Sequence, residues 1–362
     1  MMRSPKTSLN EFSGRRVFIT GDTGFKGSWL ALWLTELGAE VCGFALPPYT
    51  DQDHYVVTRL AQRYRHVDGD IRDLNVMQSL MQSFAPEFVF HLAAQPLVRL
   101  SYQDPKGTFD TNVAGSVNLL EAVRATASVR ALIYVTSDKC YENREWVWGY
   151  RENDRLGGRD PYSASKAAAE IVFNAYQASF FPHREGFAAA SVRAGNVIGG
   201  GDWAGDRIIP DAMRALQSGQ PIRLRNPLAT RPWQHVLEPV YGYLLLALLL
   251  TNYGSHYSGA WNFGPDEQAM RTVGELAQQV IGRWGGGAVM HESEAGAPHE
   301  ARLLHLNCDK ARAQLGWQPR WNFAQTIAST VDWYKAVHAG QDPVAESCAQ
   351  IRQFMDSEGG QS

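Results

Sequence analysis

Between residues 16 and 193, short apolar runs rich in β-branched and aromatic residues alternate with segments of helical periodicity. This alternation is typical of βαβ units, which place parallel strands side by side in one sheet. The apolar runs predict strands at residues 17–20, 40–46, 65–67, 88–92, 131–136 and 188–192. Helical spacing is found between them at residues 28–37, 107–125 and 162–181. The fold class expected is therefore α/β, with a doubly wound parallel sheet.

The composition fits a chain with a full hydrophobic core and excludes some partners. Of the 362 residues, 44% are hydrophobic and 20% are charged, and the formal net charge is −3. No basic field is available for a nucleic acid backbone, so no nucleic acid partner is expected. The four cysteines, Cys42, Cys140, Cys308 and Cys348, are scattered, which predicts neither a disulfide framework nor a metal site.

Two stretches bear on location. Residues 1–14 mix charged and polar side chains without the apolar run of a secretory signal, so we expect a cytoplasmic protein. Residues 243–250 read Tyr-Leu-Leu-Leu-Ala-Leu-Leu-Leu, which is far shorter than the roughly 20 residues of a membrane helix. This run predicts a buried core helix, and no membrane association is expected.

A glycine loop follows the first predicted strand directly. Residues 20–27 read Thr-Gly-Asp-Thr-Gly-Phe-Lys-Gly, and a tryptophan-rich helical segment begins immediately afterwards. Glycines at such a turn let the backbone bend sharply and approach a pyrophosphate, while the amides at the helix start bind its negative charge. The strand and helix on either side favour a dinucleotide site over an ordinary glycine turn.

The acidic residue that usually reads the ribose is missing, because the second strand ends in Phe-Ala-Leu-Pro at residues 44–47. This rule therefore leaves NAD and NADP both open.

A tyrosine and a lysine stand four residues apart at Tyr162 and Lys166, and thus on one face of a predicted helix. A phenol is a poor base at neutral pH, but we expect the nearby ammonium to lower the pKa of Tyr162 toward the working range. The phenolate could then take an alcohol proton while a hydride leaves the same carbon. The polar residue Ser137, at the end of the fifth strand, is placed to bond the same oxygen.

Along the chain the glycine loop comes first, then Ser137, then Tyr162 and Lys166. In this order the three features resemble the extended members of the short-chain dehydrogenase/reductase superfamily, which carry Thr-Gly-x-x-Gly-Phe-x-Gly and have a Rossmann-type sheet. The resemblance covers the whole chain and implies a nicotinamide cofactor, NAD. The cofactor contacts that it implies, besides Tyr162 and Lys166, are Gly21, Thr23, Gly24, Phe25, Lys26, Gly27, Asp70, Ile71, Leu92, Ala93, Ala94 and Gln95. The catalytic residues that it implies include Ser137, Tyr162 and Lys166.

Asp138 and Lys139 add an acid and a base beside Ser137. Epimerases of nucleotide sugars carry small residues at these positions, whereas nucleotide-sugar 4,6-dehydratases carry an acid and a base. The dTDP-glucose enzymes have Asp-Glu, and the Ser-Asp-Lys of this chain instead resembles the CDP-glucose 4,6-dehydratases. The same resemblance extends to residues 24–29, 95–99, 193–203 and 231–236.

The resemblance implies that CDP-glucose is converted to a 4-keto-6-deoxy sugar and water. Tyr162 would serve the oxidation at C4, Lys139 or a base that it positions would take the C5 proton, and Asp138 would protonate the leaving C6 hydroxyl. The positions that match the family's diphosphate contacts are Asn196, Arg207 and Arg231. The helical segments 107–125 and 162–181 resemble those through which family members pair into dimers, and dimers of dimers are also open. The implied pathway leads to deoxy sugars of surface polysaccharide.

Three alternatives remain open at this point. The chain could be a 4-epimerase, against which Asp138 and Lys139 argue, or a dehydratase of a dTDP, GDP or UDP sugar. It could also be a regulator that binds a dinucleotide without turnover, although such a sensor has no need of Tyr162, Lys166 and Ser137.

The alternation of predicted strands and helices ends after Arg193. Loops rich in glycine and proline, with shorter helices, follow it. One of these is predicted at residues 272–283, where Thr272 and Glu275 fit a capping box. We therefore predict a mainly dinucleotide-binding domain at residues 1–193. Residues 194–362 are predicted to form mainly a smaller lobe for the nucleotide sugar, with segments that return to the first domain.

Overall fold

The computed structural model describes residues 7–266, 269–292 and 303–357. Within these ranges, seven strands form one parallel sheet with the order β3-β2-β1-β4-β5-β6-β11. The strands of this sheet are β1 (Arg16–Thr20), β2 (Glu40–Ala45), β3 (Arg65–Asp68), β4 (Phe88–His91), β5 (Ala131–Val135), β6 (Ala188–Ala194) and β11 (Gly259–Phe263). Every residue of β5 and β6 is buried, as expected for central strands covered on both faces.

Six short strands form three small pairs outside the main sheet, among the described residues. They are β7 (Val197–Ile198), β8 (Ile222–Leu224), β9 (Thr230–Pro232), β10 (Gln234–His235), β12 (Met270–Thr272) and β13 (Val289–His291). β7 pairs with β10, β9 with β12, and β8 with β13. These pairs organise the loops that follow the carboxyl end of β6.

Helices cover both faces of the main sheet. Their bounds are α1 (Phe25–Glu36), α2 (His54–Val57), α3 (Leu74–Phe84), α4 (Val98–Gln103), α5 (Pro105–Phe109), α6 (Gly115–Arg124), α7 (Pro161–Ser179), α8 (Ile208–Gln217), α9 (Leu237–Tyr253), α10 (Val273–Trp284), α11 (Phe323–His338) and α12 (Pro343–Asp356). One apolar core contains side chains of α3, α6 and α7, and a second, larger core contains those of α1, α9, α11 and α12.

The predicted α/β class and the Rossmann-type sheet are confirmed, and all six predicted strands are present. Their ends differ from the prediction by at most two residues, at β6, which was predicted to end at 192 and ends at Ala194. The seventh strand, β11, was not predicted because its run is short and lies outside the alternating half of the chain. It joins the sheet by pairing with β6.

The segment predicted as helical at 107–125 is helical almost to its end, but it is not one regular α-helix. The structure divides this segment into α5, a π-helical turn at Asp110–Ala114, and α6. Pro105 at the first position of α5, with Asp104 accepting from the Gly107 amide at 2.8 Å, sets the start of the first piece. The apolar pattern runs through the π turn unchanged, so periodicity alone does not reveal the break.

The leucine-rich segment forms the centre of α9 and is buried against the sheet, as predicted. Across the described residues, none of the helices is long and apolar enough to span a bilayer. The predicted capping box of Thr272 and Glu275 is present at the start of α10.

The strand order reverses direction between β1 and β4, since the chain builds outward to β2 and β3 and then returns to the other side of β1. Loops after β1 and β4 therefore diverge and leave a crevice at the carboxyl edge of the sheet. Ligands of open α/β sheets bind at such a point, so a ligand site is expected at this edge of the sheet.

Candidate active site

A cavity of about 1620 Å³ opens at the carboxyl ends of β1, β4, β5 and β6. This volume exceeds the roughly 300–1,000 Å³ typical of a pocket for one drug-sized ligand, so it has room for more than one such molecule. Every residue predicted from the sequence for catalysis, cofactor binding or substrate binding lines this cavity. The structure therefore brings together residues as far apart in the chain as Gly21 and Arg231.

The glycine loop forms the turn from β1 into α1. Gly21 has φ +78°, and a side-chain Cβ at this position would lie 2.6 Å from the amide nitrogen of Ala93. A Cβ on Gly27 would lie 2.0 Å from the carbonyl oxygen of Gly21. Both positions thus require glycine, the first for the loop after β4 and the second for the approach of α1 to its own loop.

The acidic residue of the glycine loop points away from the cavity. Asp22 is buried, and its Oδ2 accepts from the Tyr64 hydroxyl at 2.8 Å and lies 2.7 Å from Nδ1 of His66. The next residue of the loop, Thr23, instead donates its hydroxyl hydrogen bond to the carbonyl of Leu46, just after β2, at 2.8 Å. Asp22 therefore braces the loop against β3 and is not a substitute for the missing ribose-binding acid.

Asp70 and Ile71 line the same cavity after β3, as the resemblance implied. Arg72 donates to Oδ2 of Asp70 from two nitrogens, Nε at 2.9 Å and Nη2 at 2.6 Å. The hydrogen bonds from Arg72 lower the pKa of Asp70 and keep it ionised.

The loop after β4 is held by an asparagine that sequence reasoning missed. Asn112 accepts from the Gln95 amide at 2.8 Å, donates to the Gln95 carbonyl at 3.0 Å, and donates to the Ser165 hydroxyl at 2.9 Å. Asn112 lies in the π-helical turn and so connects this loop to α7. A polar residue within an amphipathic pattern gave no signal that it would be buried.

Ser137, Asp138 and Lys139 form a tight turn at the end of β5. Ser137 caps a one-turn helix at Asp138–Cys140, and its hydroxyl accepts from the Lys139 amide at 3.2 Å. The same hydroxyl donates to Oδ1 of Asp138 at 2.9 Å. The turn thereby orients both the acid and the base into the cavity.

Asp138 is an acid in an unusual environment. Its side chain is 3% exposed, and Oδ2 has no hydrogen-bond partner among the described residues. Burial raises the pKa of Asp138 above its ordinary value, although Lys139 and Ser137 act in the opposite direction. A raised pKa favours the protonated carboxyl, which is the form that can donate a proton.

Tyr162 and Lys166 lie on the first turns of α7. The helix begins at Pro161, and the carboxylate of Asp160 caps it by accepting from the Ser163 amide at 2.9 Å. The tyrosine is 8% exposed and the lysine 7% exposed, and both line the cavity.

The expectation that the pKa of Tyr162 is lowered toward the working range is wrong in this structure. Burial raises the pKa of Tyr162 to about 12, and a hydrogen bond with Ser137 offsets only part of this effect. The lysine is itself affected, because burial and the charge of Lys26 lower the pKa of Lys166 to about 8. The sequence could not reveal this, since the outcome depends on how deeply both groups are buried.

Lys26 brings a second ammonium to the site. Burial and the guanidinium of Arg207 lower the pKa of Lys26 to about 8, while Asp138 acts in the opposite direction. The loop lysine therefore belongs to the same electrostatic cluster as Lys166 and Asp138, in addition to its predicted place near the cofactor.

The residues predicted to bind the diphosphate line the same cavity. Arg207, just before α8, donates from Nη1 to Asp202 at 2.9 Å. Arg231 lies on β9 and donates from Nη1 to the Thr230 carbonyl at 2.9 Å. Asn196 follows β6 and faces the same cavity. These side chains place two guanidinium groups and one amide in the part of the cavity that residues 194–362 line.

The four cysteines are buried and free, and Cys140 packs in the larger core. No group of three or more His, Cys, Asp or Glu placed to hold a metal occurs within residues 7–266, 269–292 and 303–357.

Comparison with known proteins places this site in a family. A sequence model of the family described as GDP-mannose 4,6 dehydratase matches residues 18–330. CDP-glucose 4,6-dehydratase from Salmonella typhimurium is 49% identical over 352 residues, which cover 96% of this chain and 98% of the relative. UDP-glucose 4-epimerase from Mycolicibacterium smegmatis is 27% identical, over 88% of this chain and 98% of its own length.

Among solved structures, dTDP-glucose 4,6-dehydratase from Streptomyces venezuelae, determined with NAD bound, superposes with a TM-score of 0.76. It is 25% identical, and the match covers 91% of this chain and 99% of that one. The predicted resemblance is confirmed: the chain belongs to the extended short-chain dehydrogenase/reductase superfamily and, within its nucleotide-sugar dehydratases, to the CDP-glucose 4,6-dehydratase family.

Proposed function

We propose that this protein is an NAD-dependent hydro-lyase that converts CDP-glucose to CDP-4-keto-6-deoxyglucose and water. The Salmonella relative is named for this reaction, and the identity of 49% extends over nearly the whole chain. The observation that carries the proposal is the position of Asp138: a buried, partly unpartnered carboxyl with a raised pKa in the same cavity as Tyr162 and Lys166. A 4-epimerase has no use for an acid at this place.

The residues around the glycine loop fit a dinucleotide. The positive φ of Gly21 and the lack of room for any Cβ at Gly21 keep the backbone bare at the start of α1. The groups that would hold NAD are Gly21, Thr23, Gly24, Phe25, Lys26, Gly27, Asp70, Ile71, Leu92, Ala93, Ala94, Gln95, Tyr162 and Lys166. Bound there, NAD would supply the hydride acceptor for C4 of the sugar, the hydride donor for C6 and, in its oxidised form, a positive charge in the site.

The first half of the proposed reaction belongs to Tyr162, Lys166 and Ser137. Tyr162 takes the proton of the C4 hydroxyl, and Ser137 bonds the same oxygen while the alcohol becomes a ketone. Because burial holds the pKa of Tyr162 near 12, the phenolate requires the positive charges of the complete site.

The second half belongs to the turn after β5. A ketone at C4 makes the C5 proton acidic, and Lys139, or a base that it positions, removes this proton. Asp138 donates its proton to the C6 oxygen, the C6–O bond breaks, and water leaves as a C5–C6 double bond forms. A hydride at C6 and a proton at C5 then complete the 4-keto-6-deoxy sugar, so the net change is the loss of one water.

The substrate's diphosphate would lie against Arg207 and Arg231, with Asn196 beside them. Guanidinium groups suit phosphate oxygens because their planar fork offers paired donors. Asp202 holds Arg207 at 2.9 Å in the structure, which fixes its direction before any phosphate arrives.

The proposal includes the division of labour predicted from the sequence, with NAD on residues 1–193 and the nucleotide sugar mainly on residues 194–362. It also includes a homodimer, or a dimer of dimers, formed through α5, α6 and α7. Exposed apolar side chains on these elements support pairing, with Phe109 39% exposed and Ile171 60% exposed. Cytoplasmic location and a role in the synthesis of polysaccharide deoxy sugars complete it.

The test is to incubate the purified protein and NAD separately with CDP-, dTDP-, GDP- and UDP-glucose and to follow the sugar by mass spectrometry. We expect loss of one water, fastest with CDP-glucose. An unchanged mass with a new stereoisomer would instead identify an epimerase. Faster loss of water from another nucleotide sugar would correct the substrate.

A further inference from the structure

A buried carboxylate lies behind the site on the same helix face as the catalytic pair. Glu170 follows Lys166 by four residues and Tyr162 by eight, so all three project from one side of α7. Glu170 is fully buried and lies outside the cavity lining. It therefore belongs to the helix that carries the proposed base but does not face the space where substrate would bind.

Arg193 on β6 makes a bidentate ion pair with this carboxylate. Nε donates to Oε1 at 2.9 Å and Nη2 donates to Oε2 at 2.8 Å, while the guanidinium is as deeply buried as its partner. Burial alone would raise the pKa of Glu170, but Arg193 and the hydrogen bonds to the carboxylate outweigh it, and the pKa is lowered. The pair therefore remains ionised and held in a defined orientation.

The same two residues hold both ends of the turn that carries the acid and the base. Thr136, directly before Ser137, donates its hydroxyl hydrogen bond to Glu170. Tyr141, directly after Cys140, accepts from Nη1 of Arg193 at 2.6 Å, and the guanidinium lies 4.8 Å from the centre of its ring.

Further bonds fix this network to the surrounding structure. The Tyr141 hydroxyl donates to Asn262 of β11 at 2.8 Å, and Nη1 of Arg193 donates to the Glu152 carbonyl at 2.9 Å. The Ser191 hydroxyl donates to Glu170 at 2.9 Å. Strand β6, helix α7 and the turn after β5 thus meet at one ion pair, and β11 joins the network through Tyr141.

We propose that Glu170 and Arg193 are positioning residues that fix the Ser137–Asp138–Lys139 turn relative to Tyr162 and Lys166. The inference rests on the proposed dehydration, in which oxidation uses Tyr162 and Lys166 of α7 with only Ser137 from the turn, whereas elimination uses the acid and base of the turn, Asp138 and Lys139. Loosening the ion pair lets the turn shift while α7 still supports oxidation. The elimination step is therefore expected to suffer more than the oxidation step.

Two variants test this inference. Arg193→Lys retains a buried cation beside Glu170 but loses the fork. Its single nitrogen cannot replace both the paired Nε and Nη2 bonds to Glu170 and the Nη1 bonds to Tyr141 and Glu152. Glu170→Gln removes the carboxylate charge. In a single turnover with NAD and CDP-glucose, reduced cofactor and loss of water are measured in the same sample. We expect reduced cofactor to accumulate and the loss of water to slow on the order of 100-fold, as a displacement of about 1 Å can produce, with little change in KM.

Glu238→Gln is the matched control. Glu238 is also a buried carboxyl, but it accepts from the backbone amides of Arg320 and Trp321 and has no contact with the turn. We expect this variant to alter thermal stability without any accumulation of reduced cofactor. If Glu170→Gln does not fold, Arg193→Lys carries the test, because the charge balance is retained.

Equal slowing of both steps, or slowing that merely follows the folded fraction measured by circular dichroism, would overturn the positioning role. Failure of the unaltered protein to release water from any nucleotide-linked glucose would overturn the proposed function and this inference with it. The unaltered protein thus separates the two failures in the same assay.

Discussion

The ammonium of Lys139 lies 5.7 Å from the centre of the Tyr162 ring. One of these residues is proposed to serve the oxidation at C4, and the other is proposed to serve the removal of the C5 proton. Their proximity means that one hexose can reach both groups without leaving the cavity. It also means that the two halves of the reaction can be separated by changing one residue at a time.

Tyr162→Phe is expected to abolish hydride transfer. The variant removes only the hydroxyl that would take the C4 proton, and loss of such a general base typically costs 100- to 10,000-fold in rate, in order of magnitude. The measurement is the absorbance of reduced cofactor after mixing with NAD and CDP-glucose. Tyr176→Phe is the control, because Tyr176 is on the same helix but its hydroxyl bonds Glu121 at 2.7 Å outside the cavity. Normal turnover by Tyr162→Phe would refute the role of the phenol.

Lys139→Ala is expected to reduce NAD and then stall before elimination. The groups of α7 remain in place for oxidation, but the base that would take the C5 proton, or position that base, is missing. The measurement is exchange of the C5 hydrogen with deuterated water, which we expect to vanish together with water loss. Exchange that persists would show that another group is the C5 base. Lys106→Ala is the control, since this lysine is 85% exposed.

Asp138→Asn is expected to stall one step later. The amide retains the shape of the side chain but supplies no acidic proton for the C6 oxygen, so C5 exchange continues while water loss falls by about 100-fold or more. The variant is also expected to be more stable at neutral pH. Because the folded protein binds this proton more tightly than the unfolded chain, the carboxyl costs stability as the pH rises through its raised pKa. Unchanged water loss would remove Asp138 from the mechanism.

The sequence predicted the sheet well because parallel strands buried on both faces read as continuous apolar runs. It missed β11, since the short run Gly259–Phe263 becomes a strand only by pairing with β6. Every predicted site residue lines one cavity because strand ends converge at one edge of a parallel sheet. The lowered pKa predicted for Tyr162 was wrong, because burial is a property of the folded chain.

The ion pair behind the site was also not predicted from the sequence. Glu170 and Arg193 are separated by 23 positions and meet only because α7 lies across β6. The available signal was the charge itself: Glu170 continues the four-residue spacing of Tyr162 and Lys166 on a helix face that faces the core. A charged residue at such a position is rarely buried without a partner.

Gly27→Ala is expected to disturb both the fold and cofactor binding. The added methyl would lie 2.0 Å from the Gly21 carbonyl oxygen, so the loop or α1 must shift. Such overpacking typically costs about 1–3 kcal/mol in the free energy of unfolding. Calorimetric titration with NAD should show weaker binding. Gly282→Ala is the control, because this exposed glycine of α10 has open space around its Cβ and should gain about 0.8–1 kcal/mol. Full NAD affinity in Gly27→Ala would contradict the close-approach argument.

Lys166→Met is expected to abolish activity and yet raise the free energy of unfolding at pH 7. Burial lowers the pKa of Lys166 from 10.5 to about 8, and each pKa unit corresponds to about 1.4 kcal/mol, so the stabilisation is on the order of 3 kcal/mol.

The difference in the free energy of unfolding between Lys166→Met and the unaltered protein is expected to depend on pH. The unfolded chain retains the lysine proton up to about pH 10, whereas the folded protein releases it near pH 8. The unaltered protein therefore gains stability relative to Lys166→Met as the pH rises through this interval, and the difference should shrink. Urea unfolding of both proteins at pH 7 and at about pH 9.5 measures it, with Lys106→Met as an exposed control. A variant that is less stable at pH 7 would mean that the contacts of the ammonium outweigh the cost of burying it.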